Sequence, residues 1–352
     1  MNKTLISILK FLVFFGFGAL ILYLSYQNFN RAFLEECALK GIPESECSLV
    51  NKLIEDFKGS NFFWLAMVIL SFMLSNVLRA LRWNQLLEPI GHKPRLVNTM
   101  GATMIGYLAN LGLPRMGEII KPGILTTYDK VPIEVGIGTI IVDRILDIIC
   151  LVVLIGIAVL LSFNTFKNYF IENFDMDLTY LFAVLGILAI LGIVVFILIL
   201  KLLKTKIDEE RKILVKVKTT LEGFVQGLIS IRDVKNLPLL IVYSILIWVL
   251  YYLMTYICFF AFGATSHLGP IAGLVVCVFG TLGMVFPSPG GMGSYHLLVS
   301  QALIIYGINN ADAFSFSNII FFTIQLFGVI LFGIIFLIIL PLVNKKSKHI
   351  VG

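Results

Sequence analysis

Charge is what this sequence has least of. Only 14% of its 352 residues are Asp, Glu, Lys or Arg, while 59% are hydrophobic; an average soluble protein is roughly 25% charged. Mean hydropathy is +0.96. A globule in water needs a largely polar surface and cannot bury that much apolar sequence, so soluble enzymes, nucleic-acid binders and disordered scaffolds are excluded. Cysteine (5) and histidine (4) are also scarce, and no Cys/His spacing suggests a metal site. Period-2 alternation is missing, which argues against an outer-membrane barrel. What is present instead is a set of long Ile/Leu/Phe runs, so the chain reads as an all-α polytopic membrane protein. The basic excess, 27 against 21, is then explained by Lys and Arg flanking spans on the cytoplasmic side.

Six stretches reach the roughly 20 residues needed to cross a bilayer as helix. They are approximately Leu5–Tyr26, Phe62–Leu86, Gly136–Ser162, Leu178–Leu203, Leu239–Phe262 and Ser315–Leu340. The first has a signal-peptide-like basic start but no small-residue cleavage site, so it reads as a retained span. Two further regions are apolar but interrupted. Val97–Gly112 is followed by Pro114 and Met116–Tyr128; Ile271–Phe286 is followed by Pro287-Ser-Pro-Gly-Gly-Met-Gly293 and Ser294–Tyr306. Each piece spans only about 20–24 Å as helix. They are too short to cross and too apolar for loops, so each pair fits a re-entrant helical hairpin.

The loop charges set the sides. Lys3 and Lys10, Arg79 to Arg95, the basic segment 201–237 and Lys345-Lys346-Ser347-Lys348 fall inside, leaving both termini cytoplasmic. The net-acidic segment 27–61 and the segment 163–177 fall outside. The order span, span, hairpin, span then occurs twice. Starts at 5, 62, 97 and 136 recur at 178, 238, 271 and 315, offsets of 173, 176, 174 and 179. An odd number of crossings per half inverts the second half, so 1–170 and 171–352 read as two inverted repeats, with the central site at the broken helices. The alternative is a six-helix bundle with two packed kinks. Residues 207–231 place apolar side chains opposite Lys212, Lys216 and Lys218, as in a helix lying on an anionic leaflet or an ordinary linker helix. Cys37 and Cys47, in the outer segment, are ten residues apart and either form a disulfide or stay free.

The first hairpin tip reads Asn110-Leu-Gly-Leu-Pro-Arg115-Met-Gly-Glu118-Ile-Ile-Lys121. Arg115, Glu118 and Lys121 recur every third residue and so share one face of a helix. Charge inside an apolar hairpin is expensive unless paired or water-lined. Arg115 can pair with Glu118, and Arg suits bidentate contact with phosphate. The functional reading is a site for an anionic headgroup; the plainer one is an ion-pair staple. In span three, Asp143 and Asp147 face one way with Arg144 between them. The acids can counter Arg115 or Lys121, relay protons, or fix helix packing. Arg79 and Arg82 read first as interfacial anchors beside Trp83, and second as gatherers of anionic lipid. The second tip carries Gly290, Gly291 and Gly293, which permit tight turns. Ser294 is positioned to cap the half-helix that follows. His296 is either a titrating group or a hydrogen-bonded packing residue.

These motifs together resemble the lysylphosphatidylglycerol synthase transmembrane-region family, which includes the flippase domain of the multiple peptide resistance factor. Arg115, Gly117, Glu118, Arg144, Asp147, Gly290, Gly291 and Gly293 match in order and spacing over about residues 5–340. Lys121 stands where Arg is usual, and His296 where Glu is usual. The resemblance implies a lipid-translocating domain of the bacterial inner membrane with inverted repeats and re-entrant helices. The chain ends a dozen residues after the last span, so lysyl-lipid synthesis is not expected of it.

The function expected is therefore transport between leaflets of an anionic or zwitterionic phospholipid, glycolipid or polyprenyl-phosphate lipid. No catalytic residues, cofactor or nucleic-acid partner are expected. The expected site comprises Asn110, Arg115, Glu118, Lys121, Asp143, Arg144, Asp147, Gly290, Gly291, Gly293, Ser294 and His296. Glu118, Asp143 and Asp147 would balance charge or couple protons, and the glycine tip would gate the outer side. Two alternatives stand beside this: a membrane-embedded enzyme acting on polyprenyl-phosphate or another lipid, and a scaffold for a partner lipid synthase. Self-association is left open.

Overall fold

The computed structural model describes residues 3–43, 47–113, 115–174, 234–286 and 288–345. The expected fourth span Leu178–Leu203, the amphipathic stretch 207–231, Pro114, Pro287 and the basic tail beyond Lys345 lie outside the described residues. Among the described residues every regular element is helical. They are α1 (Lys3–Leu39), α2 (Leu49–Lys58), α3 (Phe62–Leu87), α4 (Leu96–Gly112), α5 (Gly117–Asp129), α6 (Ile133–Leu161), α7 (Phe163–Phe174), α8 (Leu237–Phe259), α9 (Pro270–Val285), α10 (Ser294–Ile305), α11 (Asn310–Phe321) and α12 (Val329–Lys345).

Among the described residues four helical stretches are long and apolar enough to cross a membrane: Phe62–Ile90, Ile133–Leu161, Leu237–Phe259 and Asn310–Lys345. These coincide with expected spans two, three, five and six. Span one falls within α1, which runs on to Leu39. Asparagine side chains start several of these helices by accepting otherwise unpaired amides. Asn61 accepts from Phe63 at 3.1 Å, Asn236 from Leu239 at 3.1 Å and Asn309 from Asp312 at 2.8 Å. The last stretch is not a uniform helix. Phe322–Gly328 is a π-helix joining α11 to α12. Hydropathy carries no signal for the wider turn of a π segment, so the sequence alone reads straight through it.

Helices α3 and α8 run antiparallel. The Asn61 amide donates to Ala261 O at 2.8 Å at one end, and Arg82 meets Ser244 at the other. Between the long helices lie two antiparallel helical hairpins. In hairpin one, α4–α5, Asn98 Nδ2 donates to Asp129 at 2.9 Å at the open end, and Asn110 Oδ1 accepts from Gly117 N at 2.7 Å near the tip. A Cβ at Gly117 would run into the Gly106 carbonyl, so glycine lets the two arms touch there. In hairpin two, α9–α10, the Ser294 hydroxyl donates to Gly283 O at 2.7 Å, tying the arms together beneath the tip.

The hairpins open toward opposite ends of the 36-residue Asn310–Lys345 stretch. Asn98 of hairpin one bonds Asn344 at 2.8 Å, whereas Ser300 of hairpin two bonds Ala313 O at 3.2 Å. Their tips meet, because a Cβ at Gly290 would lie 2.6 Å from Leu111 Cδ2. The tip of hairpin two also rests on α1. Gly293, at φ +83°, leaves no room for a Cβ against Gly18 O at 2.7 Å. On the far side Cys37 and Cys47 form a disulfide that straps the end of α1 to the start of α2. Lys52 of α2 then bridges Asp56 at 3.0 Å and Asp312 of α11 at 2.7 Å.

Candidate functional site

The charged residues gather where α3, α4, α5, α6 and α8 meet. Eight residues separate Arg79 from the Leu87 end of α3, about 12 Å of helix, so the cluster lies well inside the apolar length of the bundle. It has two parts with different saturation.

The inner part is a quartet of two arginines and two aspartates. Arg79 reaches Asp143 at 3.0 Å and Asp147 at 2.7 Å, and its Nε donates to the Tyr251 hydroxyl at 2.7 Å. Arg82 donates through Nε to Asp143 at 2.8 Å, through Nη2 to Asp147 at 2.7 Å and through Nη1 to Ser244 at 3.2 Å. Every nitrogen of both guanidiniums therefore has a partner. The Arg82 side chain is 0% exposed, which corrects the expectation that Arg79 and Arg82 are interfacial anchors. A membrane surface is not what holds them; two carboxylates on the facing helix are. It also decides between the readings open for Asp143 and Asp147. They counter Arg79 and Arg82, and neither pairs with Arg115 or Lys121. Charges buried this way are stable only because each is answered, and removing one leaves its partner uncompensated.

The outer part is unsaturated. Lys121 is buried, yet its ammonium has no carboxylate within 4 Å among the described residues and sits 4.4 Å from the centroid of the Tyr107 ring. A ring face attracts a cation without neutralising it. Arg144 touches Glu118 through Nε alone at 3.6 Å, with side chains 44% and 41% exposed. That is too long for a hydrogen bond. A small cavity, about 20 Å³ open to the centre of a water molecule, is lined by Arg79, Trp83, Thr103, Lys121, Ile140, Asp143 and Arg144. Arg79 and Asp143 in its walls belong to the neutralised quartet, and Lys121 and Arg144 leave the wall locally positive; the space admits about one water molecule.

Several expected roles change. Arg115 precedes α5 at φ +65° and is exposed. It does not continue the helical face of Lys121, and Glu118 turns to Arg144 instead of to it. The cause is the late helix start at Gly117, where every-third-residue spacing no longer fixes a common face. Asn110 is a staple closing the hairpin tip. At the second tip Gly290, Gly291 and Gly293 all take positive φ; Gly290 faces Leu111, Gly291 faces Met284 of α9 and Gly293 faces α1, and none of them lines the cavity. Ser294 does not cap α10, since Gly293 occupies the cap position and the hydroxyl is spent on Gly283. His296 is buried, accepts from Gly293 N at 3.3 Å and lies 4.4 Å from the Phe321 ring; the packing reading describes it. The structure therefore brings together Glu118, Lys121, Asp143, Arg144 and Asp147, and separates them from Gly290, Gly291, Gly293, Ser294 and His296. Sequence reasoning missed Arg79, Arg82, Trp83, Tyr107 and Tyr251 as members. A signal existed for the arginines. Ser71, Ser75, Arg79 and Arg82 follow one another at helical spacing as a polar stripe, and all are buried.

Residues 48–344, covering α2 to α12, match the family described as the lysylphosphatidylglycerol synthase TM region. The chain belongs to this family. The match starts after α1, a narrower range than the motifs alone implied. The chain is also similar to the UPF0104 membrane protein MJ1078 of Methanocaldococcus jannaschii, 24% identical over 228 residues, which is 63% of this chain and 91% of that protein. No solved structure matches. The apolar helices and the family together make this member a multi-pass membrane protein.

Proposed function

We propose that the protein moves a lipid with a phosphate-bearing headgroup between membrane leaflets, the phosphate docking between Lys121 and Arg144. The observation that carries this is a buried ammonium with no carboxylate within 4 Å among the described residues, beside a cavity inside the apolar length of the bundle. An intramembrane cation persists at tolerable cost when a partner answers it. The quartet supplies that answer for Arg79 and Arg82, whereas among the described residues no carboxylate lies within 4 Å of the Lys121 ammonium, so an anionic headgroup completes the site. An anionic or zwitterionic phospholipid, glycolipid or polyprenyl-phosphate lipid carries the required group.

The architecture proposed with this function has six spans, the fourth within the segment outside the described residues, and two re-entrant hairpins in an inverted repeat. The termini are cytoplasmic and the membrane is the bacterial plasma membrane. Support comes from the matched spacing of the two halves, from the opposite directions in which the hairpins open, and from the contact between their tips. Hairpin one opens on the side that the positive-inside rule assigns to the cytoplasm. The enzyme alternative draws no such support, since Asp143 and Asp147 are both engaged by arginines.

Proteoliposomes containing fluorescent phosphatidylglycerol or phosphatidylethanolamine, with an impermeant quencher outside, test the reading. The protein is expected to accelerate exposure of at least one of these lipids. Lys121→Met, which keeps the volume and removes the charge, is expected to abolish that acceleration. Wild-type movement by this variant, at matched reconstitution, refutes the site.

A further inference from the structure

The quartet and the outer pair present two kinds of arginine contact within one turn of α6. Arg79 and Arg82 have all their guanidinium nitrogens engaged at hydrogen-bond distance. Arg144 has one contact, Nε to Glu118 at 3.6 Å, and its two terminal amino groups have no partner among the described residues. A guanidinium offers five donors in a planar fork suited to phosphate, so Arg144 is held by a weak partner that uses little of its capacity.

Glu118 is equally underused. It lies in the first turn of α5, where the unpaired amides and the helix dipole stabilise a carboxylate whether or not a cation touches it. Its side chain is 41% exposed, so a carboxylate that leaves Arg144 is not forced into the packed interior of the bundle. The pair therefore parts at low cost, and on parting it frees the Arg144 guanidinium in the wall of the cavity that Lys121 also lines.

We propose that Glu118 is a resident substitute for the lipid phosphate: its carboxylate holds Arg144 in the empty site, competes with the headgroup for it, and is displaced when the headgroup binds. This rests on the headgroup reading above and deepens it. Glu118 becomes a residue that sets affinity by competition, keeping the empty site from clamping anions too tightly to release them. Arg144 becomes the exchangeable ligand, and Lys121 the permanent one.

The experiment measures binding of dihexanoyl phosphatidylglycerol, and separately of inorganic phosphate, to the purified full-length protein in neutral detergent. Glu118→Gln is expected to bind the short-chain lipid about threefold to tenfold more tightly, by removing the competitor. Arg144→Gln is expected to bind it about tenfold more weakly, and the double variant to match Arg144→Gln, with the gain erased. Glu118→Asp keeps the charge but withdraws it from Arg144, and is expected to show part of the gain. Wild-type affinity in Glu118→Asp, with a gain in Glu118→Gln, means a general field effect and overturns the exchange. So does unchanged or weaker binding by Glu118→Gln. If Arg144→Gln and Lys121→Met still weaken binding in that case, the headgroup site survives and only the competition falls. If neither of them alters binding, both readings fall. A gain for inorganic phosphate alone overturns the assignment to lipid.

Discussion

Hairpin one and hairpin two are built alike and used differently. Each is a pair of short antiparallel helices whose arms touch at glycine, Gly106 against Gly117 in the first and Gly283 against Ser294 and Tyr295 in the second. Hairpin one carries Glu118 and Lys121 just past its tip and sets them beside Arg144. Hairpin two, from Pro270 to Ile305, carries no ionisable Asp, Glu, Lys or Arg. Near its tip Ser294 bonds Gly283 and His296 bonds Gly293 within the hairpin, and the tip wedges between α1 and Leu111. The difference teaches that two similarly built hairpins diverge by charge, and the proposed headgroup site lies beside the one that carries it. The other hairpin is a packing element whose tip touches the first at Leu111.

The comparison breaks most severely at the quartet that joins α3, α6 and α8 beside hairpin one. Asp147→Ala leaves Arg79 and Arg82 partly uncompensated inside the bundle, with an expected loss of about 3–5 kcal/mol. Unfolding in detergent, followed by helix content against denaturant, reads it directly. If the two hairpins are equivalent frames, alanine at either crossing glycine is expected to cost a similar amount. Gly117→Ala and Gly283→Ala each force a Cβ onto backbone atoms, an overpacking penalty of about 1–3 kcal/mol. A pair of melting curves decides, and a much smaller effect at one site breaks the equivalence.

A smaller effect is expected from Ser294→Ala. The buried Gly283 carbonyl loses its hydroxyl donor, costing about 1–2 kcal/mol, and hydrogen exchange in α9 is expected to quicken near Gly283. The smallest effect lies at the outer clip. Burial of Lys52 disfavours its charged form, but hydrogen bonds to Asp312 and Asp56 outweigh this and raise its pKa above the ordinary 10.5. A raised folded-state value means that the stabilisation is fully present below about pH 10.5 and lost as pH climbs through the folded value. The wild type is thus expected to exceed Lys52→Met by about 1 kcal/mol at pH 8, and the gap to close in strongly alkaline buffer. Melting temperatures across pH 8 to 12 check the sign.

Much of the fold was legible because apolar length is a one-dimensional property. Spans two, three, five and six lie where the hydrophobic runs lie, and both hairpins lie where those runs are too short. The site was legible only in part. Lys121, Asp143, Arg144 and Asp147 stood out because charge in apolar sequence is conspicuous. Their partners did not, because pairing depends on which helix faces which. Arg79 sits 64 residues from Asp143 and 172 from Tyr251, and no local spacing encodes those neighbours. Arg115 misled for a related reason: its i, i+3 relation to Glu118 holds only if the helix has already begun. The π segment Phe322–Gly328 and the late start of α5 are both small backbone adjustments set by neighbouring helices.

By itself the sequence determined that the chain lives in a membrane, roughly where its long helices run, and which few residues bring charge into the apolar interior. Those follow from composition and length, through the cost of moving polar groups out of water. Only the tertiary structure decided how the charges divide. Four residues neutralise one another across α3 and α6, Glu118 loosely engages Arg144, and Lys121 has no carboxylate within 4 Å among the described residues. That division arises from helix facing, which sets distances of a few ångströms, and over such distances in a medium of low dielectric a pair is either satisfied or open to a ligand.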